Sequence, residues 1–210
     1  MATASADYPV TLSIDYPDRK LSRLTTFFRL IMLIPIAIVL AFVNHSTFGW
    51  VEGPWSYAYT FGGLVVIPLV LMLLFRKKYP RWWFDWNLGL ARFSARVSAY
   101  FALLRDEYPS TDEEQAVHLE IAYPNAKEEL NRWLPLVKWI AAVPHYIVLF
   151  FLTIAALVVM VVSWFAIMFT GRYPRDLFDF VVGVQRWGLR VSAYAFLMAT
   201  DRYPPFRLTN

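Results

Sequence analysis

Apolar residues are concentrated in two long stretches of the chain, one in each half: 24–75, which is interrupted, and 133–170, which is not. In the first half, residues 24–43 and 57–75 are apolar and are separated by a polar and aromatic segment at 44–56. A helix needs about 20 apolar residues, rising 1.5 Å each, to cross a bilayer. The first half therefore predicts a helical hairpin over 24–75, transmembrane or re-entrant.

The second apolar stretch, residues 133–170, has no such interruption. As one straight helix it would measure about 57 Å, nearly twice the thickness of the hydrocarbon core. Because basic residues flank both ends, we expect a hairpin over 133–170 that turns back near Phe150 to Thr153. A re-entrant hairpin also fits the pattern, as does a surface helix followed by one long span from Pro144.

Two short segments alternate between apolar and polar residues. Val10 to Asp15 reads VTLSID, Val117 to Ala122 reads VHLEIA, and Tyr-Pro follows each of them. Alternation with a period of two is typical of a half-buried strand. If these strands pair at the membrane surface, they tie the two halves of the protein together.

Each apolar stretch is followed by a version of the same 22-residue segment. Residues 79–100 read YPRWWFDWNLGLARFSARVSAY and residues 173–194 read YPRDLFDFVVGVQRWGLRVSAY, with 12 of 22 positions identical. We interpret the chain as two tandem repeats, residues 1–109 and 110–210. Each repeat contains a short surface strand, a helical hairpin and the segment that begins Tyr-Pro-Arg, within an all-α membrane fold.

The charge spacing of the repeated segments predicts that their helices, 80–104 and 174–199, do not cross the membrane. Asp85, Arg92 and Arg96 recur at helical spacing on one face. Three charges near the bilayer centre would cost about 8–10 kcal/mol, and the apolar residues would return only about 2–5 kcal/mol. We expect amphipathic interfacial helices whose charged stripe faces water, lipid phosphates or another part of the protein. The second helix has the same stripe at Asp179, Arg186 and Arg190.

Three crossings per repeat are the alternative. The two halves would then be inverted relative to each other, as in many transporters. The two strands would lie on opposite faces of the membrane and would be unable to pair.

Composition supports a membrane protein. Hydrophobic residues make up 58% of the chain and charged residues 17%. Lys and Arg are absent between Leu30 and Phe75 and between Trp139 and Thr170. Because basic segments face the cytoplasm, we expect cytoplasmic N- and C-termini. The chain has no cysteine, which excludes disulfides and cysteine-bound metals.

Two basic residues lie inside the apolar stretches, where an unpaired charge is costly. Arg29 and Lys138 occupy matching positions in the two halves. They either extend to lipid phosphates, or pair with an acid such as Asp85 or Asp179, or bind an anionic lipid headgroup between the repeats. We expect Trp82, Trp83 and Trp187 to contact lipid at headgroup level or a partner.

The sequence offers no constellation for catalysis or metal binding. The three histidines, His45, His118 and His145, fall in a loop, a strand and an apolar stretch, without the spacing of metal ligands. Glycine-rich phosphate loops and nucleophile–base motifs are also missing from the sequence. We therefore predict a protein that is not an enzyme and that uses no cofactor.

A longer motif resembles a known family. The pattern Y-P-R-x-x-F-D-F-V-V-G-V-x-R-W-x-L-R-V-x-A-Y is preceded by WFAIMFTG and followed by DRYPPF. It resembles a bacterial membrane family known as domain of unknown function 4389. Residues 164–206 carry the closest match, and residues 79–109 form a more divergent second copy. The resemblance implies an integral protein of the bacterial inner membrane and supplies no catalytic residues.

These observations favour a non-catalytic membrane protein, either an accessory or scaffold subunit or a membrane-organising protein. Its expected partners are membrane lipids and a partner protein or a second copy of the chain, with no nucleic acid. The competing hypothesis is a small transporter or channel built from the two repeats. Such a path needs polar intramembrane residues, and Arg29, Lys138, Thr60 and Ser163 are few. An enzyme acting on lipid is disfavoured by the missing nucleophile and base.

Overall fold

The computed structural model describes residues 8–44 and 63–209, and it is mostly helical with one small sheet. The strands are β1 (Val10–Ile14) and β2 (Val117–Ile121). Six α-helices are described in these ranges, two of them next to short turns of other helix types. They are α1 (Arg23–Asn44), α2 (Gly63–Leu71) with a π-helical turn (Met72–Arg76), α3 (Arg81–Phe101), a 3-10 turn (Leu134–Leu136) with α4 (Lys138–Ala141), α5 (Val143–Thr170) and α6 (Arg175–Ala195).

The predicted strand pairing is confirmed. β1 and β2 form an antiparallel two-stranded sheet in which Leu12 lies opposite Leu119. One face of the sheet is apolar and buried, and the other is polar and exposed, as the alternation of the sequence requires. This pairing contradicts the alternative with three crossings per repeat, which separates the strands.

The two helices of the repeated segments form at nearly the predicted positions. α3 follows Pro80 and α6 follows Pro174, and both prolines have an extended backbone that a helix cannot continue through. Beyond the helices, the chain reverses through Leu103 and Met198, which adopt positive φ angles of 64° and 51°. The two segments therefore begin and end in the same way.

The elements stack in three layers. α3 packs on β2 and α6 packs on β1, so these two helices form the middle layer. On their other side, α1 packs on α3 and α5 packs on α6. The main core lies between the apolar sheet face and the middle helices, and it receives Leu69 and Leu73 from α2 and its π-helical turn. The polar sheet face and the outer helices are thus on opposite sides of the protein.

The hairpin expected over 133–170 is wrong. The chain does not turn back near Phe150 to Thr153, because α5 continues unbroken from Val143 to Thr170. No glycine or asparagine is available there to make a turn, and α6 provides a continuous surface for α5 to pack on. The short α4 followed by one long helix from Pro144 matches the alternative interpretation. In the first half, α1 and α2 are separate helices, and the predicted loop and the start of the second predicted helix, 45–62, lie outside the described residues.

The sheet register predicts which engineered cysteines will cross-link. The chain has no cysteine of its own, and Thr11 lies opposite Glu120 on the exposed face. Directly opposed residues are about 4.5–5.5 Å apart at Cα, which suits a disulfide. The pair T11C/E120C should therefore oxidise readily, which a mobility shift on a non-reducing gel would detect. In the control T11C/H118C the second cysteine is displaced by two positions, beyond disulfide reach; equal cross-linking of both pairs would contradict this register.

Candidate functional site

Arg29 is held in a buried ion pair between the outer and middle layers. Its side chain is 2% exposed and its guanidinium pairs with Asp106, which follows α3. Nη1 also donates to the carbonyl of Tyr100 at 3.0 Å, and the guanidinium carbon lies 4.4 Å from the centre of the Tyr100 ring. The Asp106 carboxylate accepts a second hydrogen bond, from the backbone N–H of Ser22 at 2.7 Å. This cluster joins the start of α1 to the end of α3.

Lys138 has the matching arrangement in the second half. It is 0% exposed, and its ammonium lies 2.7 Å from a carboxylate oxygen of Asp201, which follows α6. The ammonium donates to the carbonyl of Thr200 at 2.7 Å and lies 5.1 Å from the centre of the Tyr194 ring. Asp201 also accepts from the backbone N–H of Asn131 at 2.5 Å. Burial lowers the pKa of Lys138, and the hydrogen bond to Asp201 opposes that change.

Of the three options for Arg29 and Lys138, the structure shows pairing with acids and not extension to lipid phosphates, and the partners differ from those expected. Asp85 and Asp179 are exposed and pair within their own helices, with Arg81 at 3.2 Å and Arg175 at 3.8 Å. The sequence does contain a signal for the true partners. These partners, Asp106 and Asp201, each follow the helix of a repeated segment. Each begins a D-x-Y-P motif, DEYP at 106–109 and DRYP at 201–204.

The arginines of both charged stripes face other parts of the protein. The sequence had left this open against water and lipid phosphates. Arg92 donates to the carbonyl of Leu119 at 3.0 Å, and Arg186 donates to the carbonyl of Leu12 at 3.0 Å. These two carbonyls belong to residues that lie opposite each other in the sheet. Each arginine therefore satisfies a backbone acceptor of the strand on which its helix packs.

The second arginine of each stripe holds a loop. Arg96 is buried and donates to the carbonyl of Ser110 at 2.9 Å. Arg190 is buried and donates to the carbonyl of Thr209 at 2.8 Å. Their charges are thus used to fix backbone segments inside the protein.

The tryptophans do not share one environment. Trp82 is 68% exposed and Trp83 is half-buried. Trp187 is buried and donates its indole N–H to Nδ1 of His145 at 3.0 Å. His145 is also buried, and its ring stacks on Phe206 with centroids 3.9 Å apart. Of the three tryptophans predicted to contact lipid or a partner, only Trp82 is therefore mostly exposed.

The sequence did not predict this use of His145. Because Nδ1 accepts a hydrogen bond, the proton of the neutral ring is on Nε2. The aromatic residues around it come from α6 and from the D-x-Y-P segment that follows, which sequence spacing alone does not bring together. Across residues 8–44 and 63–209, no group of three acidic or histidine side chains is arranged to hold a metal ion.

The described residues of the outer layer present an exposed apolar face. Each outer helix places only one narrow stripe against the middle layer. On α1 this stripe comprises Thr26, Arg29, Leu33, Ile36 and Leu40. On α5 it comprises His145, Leu149, Leu152, Ala156, Met160, Ser163 and Ile167, and Ala142 lies just before the helix in line with them. Most of the other described side chains of these two helices are apolar and exposed, although Val159 and Trp164 of α5 also pack against the main core.

Both outer helices are long and apolar enough to cross a membrane. They are largely unburied, so neither resembles the core helix of a soluble protein.

Comparison with known proteins adds one family. Residues 133–207 match the model of a family described as a domain of unknown function (DUF4389). No curated protein and no solved structure matches the chain. The matched range begins before Lys138 and ends after Phe206, so it contains the second ion pair, α5 and α6.

The two buried ion pairs should contribute strongly to stability. Asp201→Ala leaves the Lys138 ammonium buried without its carboxylate, and we expect a loss of about 3 kcal/mol or more in the free energy of unfolding. Asp106→Ala should behave in the same way toward Arg29. Denaturant unfolding in a mild detergent, followed by tryptophan fluorescence, measures both.

The control is the exposed pair Arg81–Asp85, where Asp85→Ala should cost no more than about 0.5 kcal/mol. The double variant Lys138→Met/Asp201→Leu should regain most of the loss, because no charge stays buried. If Asp201→Ala costs no more than Asp85→Ala, the ion pair does not hold the layers together.

Proposed function

We propose that this is a non-catalytic membrane protein whose outer layer, α1 and α5, lies embedded in one leaflet of the membrane. In this arrangement the polar face of the sheet remains in water. The protein acts as an accessory or scaffold subunit, or as a membrane-organising protein, that contacts lipids and a partner. The one-sided apolar surface of α5 is the observation that carries this proposal.

The embedded face is formed by large apolar side chains that are largely exposed. Contiguous apolar surfaces of this size mark membrane or protein contact sites. Phe169, at the end of α5, is 77% exposed. The exposed large side chains of α5 include Val143, Ile147, Phe150, Phe151, Ile154, Val158, Val161, Val162 and Phe165. Those of α1 include Leu24, Phe27, Leu30, Ile31, Ile34 and Ile38.

The layer order favours an orientation of α5 along the membrane plane. α5 packs along α6, and α6 packs on β1. If α5 stood upright in the bilayer, the sheet would be drawn to the same depth. Its exposed face carries Asp15, His118 and Glu120, and a charged residue at the bilayer centre costs about 2.5–3.5 kcal/mol. An in-plane α5 keeps this face in water.

The distribution of basic residues supports the same orientation. Arg132 precedes α4 and α5, and Arg172 follows α5. Under the positive-inside rule both belong on the cytoplasmic side. A 28-residue helix is about 42 Å long and would carry its two ends to opposite sides if it stood upright. Lying in the plane keeps both ends at the cytoplasmic surface, where we also place the two termini, on the inner membrane of a bacterium.

We further propose that the chain consists of two copies of one unit. Three features support this: the 12 identical positions, the two cation–aspartate pairs after α3 and α6, and the two arginines that bond to opposed strand residues. A duplicated unit gives the embedded face two similar halves, which suits a scaffold more than a transport path. Arg29 and Lys138, whose charges could line such a path, instead form buried ion pairs with aspartates of the protein.

Thiol labelling tests the in-plane orientation. Arg132→Cys and Arg172→Cys place single cysteines on exposed positions before and after α5. Both should react with a membrane-impermeant maleimide from the same side: in inverted inner-membrane vesicles and not in intact spheroplasts. Glu120→Cys on the polar sheet face is the control and should label from that side too. Reaction of the two helix ends from opposite sides would show that α5 crosses the bilayer and would end the proposal.

Insertion into one leaflet should also change vesicle shape. Material added to a single leaflet expands it relative to the other and favours bending. Vesicles of phosphatidylethanolamine and phosphatidylglycerol that receive the pure protein from outside should become smaller or tubular, as seen by electron cryomicroscopy. Phe150→Ser/Phe165→Ser reduces the apolar face at two exposed positions and should weaken the effect. Unchanged vesicle diameters at high protein density would remove the membrane-organising role.

A further inference from the structure

A glycine of α6 is covered by a segment of chain that follows this helix. A Cβ atom added at Gly183 would lie 2.8 Å from the Cβ of Leu208. Carbon atoms pack best at about 3.5–4.0 Å, so only glycine allows Leu208 to lie so close to the helix. Arg186 holds the same segment, since its Nη1 donates to the carbonyl of Leu208 at 2.9 Å while its Nε donates to the carbonyl of Leu12 in β1.

The matching residues of α3 have no such cover. Gly89 and Arg92 occupy the positions of Gly183 and Arg186 in the repeated segment. Apart from the backbone of α3, no described atom lies within 4 Å of a Cβ added at Gly89. The Nε of Arg92 donates to its strand carbonyl, but no described residue accepts a hydrogen bond from its Nη atoms. Gly89 and Arg92 are accordingly exposed, whereas Gly183 is buried.

A groove of about 320 Å³ lies at this position, between α3, β2 and the loop that precedes β2. Its volume is within the range of about 300–1,000 Å³ found for ligand sites. Gly89 and Arg92 line it, together with three exposed carboxylates, those of Asp112, Glu114 and Glu120. These carboxylates repel a phosphate or another small anion and attract a basic group.

The segment that covers α6 shows which chemistry such a groove accepts. It presents a backbone carbonyl to an arginine and a leucine to a glycine, and Arg207 precedes that leucine. A basic residue at this point suits the carboxylates of the groove on α3. The same segment of a second copy is a poor occupant, because Arg186 and Arg190 already hold it and its release would empty one groove to fill another.

We propose that the groove beside Gly89 binds an extended, basic peptide segment of a partner protein. A leucine of the peptide lies on Gly89, a backbone carbonyl accepts a hydrogen bond from Arg92, and a basic side chain faces the three carboxylates. His118 and Glu120 of the polar sheet face also line the groove, so it opens toward the water side of the protein. The inference gives the proposed accessory role a partner of stated chemistry and rests on that role.

Peptide binding to the purified full chain in a mild detergent tests the groove. The probe is a fluorescein-labelled peptide with the sequence PPFRLTN, that of residues 204–210, and its fluorescence anisotropy should rise on binding. Gly89→Ala should weaken binding at least tenfold, because the added methyl group takes the place of the leucine. It should not lower the temperature of unfolding, because the position is open and alanine favours a helix. The control Gly188→Ala makes the same change at an open position of α6 and should leave binding unchanged.

Variants on both sides of the contact test the proposed chemistry. Arg92→Leu should weaken binding about tenfold through the lost hydrogen bond, and so should a peptide with Arg207→Glu, whose charge the carboxylates repel. Full binding to Gly89→Ala or full binding of the Arg207→Glu peptide would overturn the proposal. So would a dimer, detected without peptide by light scattering, that Gly89→Ala dissociates, because the occupant would then be a second copy. Thiol labelling of the ends of α5 does not involve this groove, so failure of peptide binding and failure of the membrane embedding are separate results.

Discussion

The buried pairing of a cation with an aspartate joins the outer helices to the rest of the protein. Arg29 at the start of α1 and Lys138 at the start of α4 each reach the aspartate that follows a middle-layer helix. A buried charge needs such a partner, because desolvation is otherwise uncompensated. Each pair also accepts or donates backbone hydrogen bonds, so the position of a helix start and that of a loop are fixed together. The layer order of the protein depends on these two contacts.

This layer order creates a molecule with one apolar and one polar side. α3 and α6 cover the apolar face of the sheet. Arginines of these helices donate hydrogen bonds to strand and loop carbonyls. α1 and α5 then cover the middle layer with narrow stripes and leave their broad apolar surfaces outward. Such a surface is unfavourable in water and favourable in a lipid leaflet. The proposed membrane embedding and in-plane orientation both follow from that asymmetry.

The sequence predicted those strands and helices in which the spacing of polar and apolar residues shows which face is buried. The alternation VTLSI and VHLEI was sufficient to predict two strands that pair, and the charge spacing at Arg92 and Arg96 predicted an amphipathic helix. The course of α5 was not predictable in the same way. An apolar stretch contains no periodicity that shows whether it crosses, turns or lies flat, so the expected hairpin rested on an assumed upright orientation. The aspartate partners were missed because Asp106 and Asp201 lie in loops, beyond the reach of helical spacing rules.

The depth of α5 in the bilayer is the most direct test of this account. Single cysteines at Phe150, Ile154, Val158, Val162 and Phe165 would each carry a nitroxide, and electron paramagnetic resonance would compare relaxation by oxygen with relaxation by a water-soluble nickel complex. An in-plane helix predicts nearly constant depth within one leaflet at all five positions. A profile that is deepest in the middle of α5 and becomes shallow toward both ends would show a transmembrane helix and contradict the account.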